Sequence, residues 1–121
     1  MDIEIKLEPT PQAAGLARRF VARELETLGY AELVDDARLM VSELVTNCLR
    51  YVPGKPLWVD LRRAGKHMVL EVWDCSPEPP VAQDADFLAE GGRGLHVVDE
   101  LGAKFGYDIL CCGKVVWVIL G

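Results

Sequence analysis

The chain has 121 residues, half of them apolar and 26% charged, which suits one globular domain (residues 1–121) and leaves too little for two. Acidic residues outnumber basic ones 19 to 13, for a net charge of −6 with no dense basic patch, so direct nucleic-acid binding is not expected. The opening MDIEIKLEPT lacks the basic-then-apolar pattern of a signal peptide, and no apolar run approaches the ~20 residues of a membrane span, so a cytoplasmic protein that does not enter the membrane is expected.

Ile3, Ile5 and Leu7 alternate with polar residues and predict a short strand ended by Pro9. Thr10-Pro11 offers a capping hydroxyl and a proline in the first turn of a helix. That helix carries Ala13, Ala17, Phe20, Val21, Leu25 and Leu28 on one face and stops at Gly29. A second helix is predicted over Leu33–Val52, with a broad apolar face that includes Ala37, Met40, Val41, Leu44, Val45 and Cys48. Pro53-Gly54 and Pro56 force a turn, and strands follow at Leu57–Arg63 and Met68–Asp74, joined by a hairpin at Ala64-Gly65-Lys66.

Regular patterning then breaks over 75–92, CSPEPPVAQDADFLAEGG, a connection of a length usually reserved for function or mobility. A short helix over Gly94–Leu101 comes next, followed by a strand through Phe105, Tyr107 and Ile109 and a turn at Cys111–Lys114. Val115–Leu120 is a continuous apolar run typical of a central strand. The order β, α, α, β, β, long loop, α, β, β does not alternate as a doubly wound dinucleotide fold does. It predicts an α/β (α+β) two-layer sandwich, with helices on one face of a mixed, largely antiparallel sheet. The four cysteines show no C-x-x-C spacing, so buried thiols are expected and a zinc site is not.

Three stretches hold residues suited to chemistry. On the second helix Asp36, Glu43, Asn47 and Arg50 fall within a wedge of roughly 60° at about 100° per residue. A solvated helix face would have this pattern, but Asn47 is a poor helix-interior residue. Glu43 and Asn47, one turn apart, can reach the same small object, such as a magnesium ion shared with phosphates. Asp74 closes a strand, where its carboxylate either ends the strand in a turn or accepts a hydrogen bond from an amino group such as that of adenine. Gly91-Gly92-Arg93-Gly94 precedes a helix, where backbone N–H groups can approach an anion and Arg93 can add charge; a flexible hinge would look similar.

Taken together, SELVTNCLRYV, VWDCSPEPP and GGRGLHVVDEL resemble the N, G1 and G2 boxes of the GHKL (histidine-kinase-like) ATPase domains, of Bergerat-type ATP-binding fold. The resemblance is closest to the small anti-sigma-factor serine/threonine kinases and their actinobacterial relatives, and runs from about Ala13 to the end of the chain. It implies that Asn47 ligates Mg2+, that Glu43 is the base that readies the attacking hydroxyl, and that Asp74 reads the adenine amino group. Arg50 and Arg93 would join the nucleotide site. Gly92, Gly94 and the backbone at Leu95 would hold the phosphates of ATP beneath a lid spanning 76–91. The implied partners are a sigma factor and an anti-anti-sigma protein phosphorylated on serine, with the kinase often a homodimer. Three residues depart from the family pattern: Tyr51 where histidine is frequent, Asp74-Cys75-Ser76-Pro77 in place of D-x-G-x-G, and Val115 where a threonine commonly supports the aspartate. These departures raise the alternative of an inactive module of the same fold that acts by stoichiometric sequestration.

Overall fold

The protein is described from a computed structural model over residues 3–76 and 104–121. Five strands form one sheet: β1 (Ile3–Leu7), β2 (Leu57–Ala64), β3 (His67–Asp74), β4 (Lys104–Ile109) and β5 (Lys114–Ile119), in the order β1-β2-β3-β5-β4. Every described pairing is antiparallel. Two helices, α1 (Ala13–Leu28) and α2 (Val34–Tyr51), pack on one face of the sheet, as the sequence predicts. The chain from 77 to 103, which includes the predicted lid and the short helix over 94–101, lies outside the described residues.

The layers follow from side-chain periodicity. Leu57, Val59 and Leu61 of β2, Met68, Leu70 and Val72 of β3, and Val116 and Val118 of β5 are buried and share the face beneath the helices. Ala13, Ala17, Val21 and Leu25 of α1 and Ala37, Met40, Val41, Leu44, Val45 and Cys48 of α2 close the core from the other side. Polar bonds also link the helices, with Arg18 Nη1 donating to Ser42 Oγ at 2.8 Å.

Several boundaries shift from the sequence reading. The first helix starts at Ala13 without a side-chain cap, because the Thr10 carbonyl accepts the Ala13 N–H at 3.0 Å and makes 10–13 a turn instead. Leu28, predicted on the apolar face, is 44% exposed at the end of the helix. Gly29 stops α1 with φ +89°, as an αL cap requires. A single 3-10 turn, Ala31–Leu33, absorbs the predicted first residue of α2. Gly65, at φ +61°, opens the two-residue β2–β3 turn, a conformation only glycine adopts cheaply.

Candidate functional site

The inward alternation of β3 does not stop at Val72: one step further it places Asp74 on the helix side of the sheet. On β5 the same alternation, run backwards from Val118 and Val116, reaches Lys114, the register partner of Asp74. The two side chains meet there, Lys114 Nζ lying 2.8 Å from Asp74 Oδ2, with only 8% and 2% of the respective side chains exposed. The carboxylate has two further donors. The Ser76 backbone N–H donates to Oδ1 at 2.8 Å, an Asx-type turn that ends the strand, and the Cys48 thiol donates to Oδ2 at 3.6 Å.

Cys48 comes from α2, so this contact brings the helix to the end of β3 and sets its neighbour Asn47 at the same end of the sheet. Burial, and after it the Asp74 carboxylate, raises the Cys48 thiol far above the ordinary thiol range, against the opposing pull of Lys114. Asn47 Oδ1 is buried and has no hydrogen-bond partner among the described residues. An unsatisfied buried amide oxygen is costly unless something absent from the chain itself takes its lone pairs. Glu43, one helical turn earlier, is half-buried and forms no hydrogen bond or ion pair among the described residues. Arg50 and Asp36 on the same helix edge are exposed.

An uncommitted carboxylate and an orphaned amide oxygen one turn apart suit a hard cation, which takes oxygen ligands and keeps several waters. The donor chemistry therefore fits magnesium held jointly with phosphates. The Cys48 contact brings the part of α2 that carries Asn47 to Asp74, with Glu43 one turn back along the helix, while Gly92, Arg93, Gly94 and Leu95 lie outside the described residues.

Val115, expected to take the supporting position beside Asp74, is on the opposite face of the sheet, opposite Trp73. Lys114 faces the aspartate in its place. A local reading places Lys114 in the turn ahead of the apolar run Val115–Leu120. Carrying the inward alternation one residue past each strand marks Asp74 and Lys114 as inward-facing, but only the strand order and register make them partners. The expectation of buried thiols holds for Cys48, fails for Cys111 and Cys112, which are exposed with sulfurs 3.3 Å apart, and is intermediate for Cys75. A cavity of about 490 Å³ opens beside the Cys111–Gly113 turn, between Trp58, Trp73 and Cys75, and neither Glu43 nor Asn47 lines it.

Comparison with known proteins agrees with this fold. The family described as histidine kinase-like ATPase domain matches residues 7–120. Among solved structures the chain is similar to the histidine kinase domain of the blue-light activated histidine kinase of Erythrobacter litoralis EL346, with TM-score 0.51 and 21% identity. That alignment covers 88% of this chain and 64% of the other, a likeness that carries the fold alone. No curated protein gives a significant match.

Proposed function

The chain belongs to the histidine kinase-like ATPase domain family, and from that premise we propose that it is an ATP-binding regulatory protein of the anti-sigma-factor serine/threonine kinase kind. The observation that carries the reading is the buried Asn47 Oδ1 with no partner, placed by Cys48 beside the end of β3. Asn47, with waters, would hold Mg2+ against the phosphates, and the ion when bound neutralises charge on the transferring phosphoryl group. Glu43, half-buried and uncommitted, would accept the proton of an attacking serine hydroxyl. Asp74 would face the adenine amino group, while Gly92, Arg93, Gly94, Leu95 and Arg50 complete the nucleotide site. The partners in this reading are a sigma factor and an anti-anti-sigma protein, the setting is cytoplasmic, and a homodimer is the working form. Consistent with that setting, no described helix is long and apolar enough to cross a membrane.

Calorimetric titration with ATP and magnesium tests the reading. Wild-type binding that requires magnesium and weakens about a hundredfold or more in Asn47→Ala is the expected result, since even outer-shell partners of a metal contribute 10–100-fold. Magnesium-independent binding of equal strength in both proteins would remove Asn47 from the site.

The Asp74–Lys114 ion pair favours a second reading, a sequestering module of the same fold that does not turn ATP over. Stoichiometric capture of a partner that survives Asn47→Ala unchanged distinguishes it from the kinase.

A further inference from the structure

We propose that Lys114 is an internal competitor for Asp74, so that a base amino group meets a carboxylate already held by the ammonium, and Lys114 thereby sets nucleotide affinity. This rests on the reading that Asp74 faces the base of a bound nucleotide. Three donors already converge on the Asp74 carboxylate, and the strongest is the ammonium. Oδ2 is taken by Lys114 at 2.8 Å and approached by the Cys48 thiol at 3.6 Å, and Oδ1 is taken by the Ser76 N–H at 2.8 Å.

The ammonium adds the attraction of a full opposite charge to its hydrogen bond, which a neutral amino group lacks, so an incoming amino group is the weaker donor. Nor can the lysine withdraw without loss. Lys114 is a strand residue in register with Asp74, it is 6% exposed, and among the described residues Asp74 is its one ion-pair partner. Gly113 before it packs tightly on the Asp74 main chain, since a Cβ there would collide with the Asp74 carbonyl oxygen. The exchange therefore opposes binding, and removing the ammonium while leaving the carboxylate should favour it.

The test measures ATP with magnesium, and separately adenosine, against wild type, Lys114→Met and Lys114→Gln, with cooperative unfolding confirmed for each variant. Gln is the second variant because its amide can still donate to Asp74 if the apolar Met does not fold. The expected result is ATP and adenosine binding tightened by about tenfold in the folded variant, the scale of one charge-assisted hydrogen bond relieved of competition. Equal binding by wild type and variant overturns the proposal and leaves the nucleotide site standing. Weaker binding by the variant also overturns it and makes Lys114 a direct base contact. A gain with ATP that is absent with adenosine overturns it as well, because adenosine carries no phosphate charge and isolates the base. Absence of binding in every protein removes the nucleotide reading and this inference with it.

Discussion

At residue scale the site rests on two neighbours of unlike environment. Asn47 presents a buried oxygen without a partner among the described residues, and Cys48 turns a thiol towards Asp74, so one step along α2 separates an unsatisfied acceptor from a contact that fixes the helix. Glu43 is the other group without a partner among the described residues. If it accepts the hydroxyl proton, Glu43→Ala should lower phosphoryl transfer by about 10²–10⁴-fold while ATP affinity, read by calorimetry, stays within about twofold. An unchanged transfer rate would assign Glu43 to the solvated face that its spacing also fits.

At the scale of elements, the end of the β3–β5 ladder decides whether the site exists. Leu110 N–H to Gly113 O at 2.7 Å closes the β4–β5 turn, and Gly113 then passes against the backbone of Asp74. Any side chain at 113 meets main chain, which cannot rotate aside. Gly106, on β4, would instead meet the ring of Trp117, a half-buried side chain. Gly113→Ala should therefore cost about 2–4 kcal/mol and weaken nucleotide binding by shifting the Asp74 main chain and its carboxylate. Gly106→Ala should cost about 1–3 kcal/mol and leave nucleotide binding unchanged. Urea unfolding and calorimetry of the two variants separate these outcomes, and equal binding loss in both would deny the ladder end its special role.

Across the whole molecule, the buried thiol links the core to pH. The folded state raises the Cys48 thiol, foremost through burial, so the folded protein keeps the proton at a pH where the unfolded chain releases it. Its contribution is fully present below the unfolded thiol value of about 8.5 and declines as pH rises beyond it. Stability should fall above that pH, by at most about 1.4 kcal/mol per unit from this group, and Cys48→Ala should flatten that part of the profile. A slope unchanged by the substitution would trace the alkaline loss to other groups. In the same range a thiol reagent should modify the exposed Cys111 and Cys112 readily and reach Cys48 only on unfolding.

Most of the architecture was legible in the chain because periodicity is a local property. Alternation in Ile3–Leu7, Leu57–Arg63 and Met68–Asp74, and the helical spacing from Ala37 to Cys48, specify which side of each element is apolar, and one sheet with two helices is the economical way to bury those sides. The motif residues Glu43, Asn47 and Asp74 were legible for the same reason, each being tied to a definite place on a helix or at a strand end. Long-range pairing was not. No local pattern states that β5 lies beside β3, or that its register sets Lys114 rather than Val115 opposite Asp74. An aspartate 40 residues before a lysine in sequence becomes its partner at 2.8 Å only when the sheet is assembled, and burial then converts two ordinary surface charges into an obligatory pair. The sequence by itself determined the elements, their buried faces and the motif residues; only the tertiary structure decided what the aspartate is bonded to, because that depends on strand order and register.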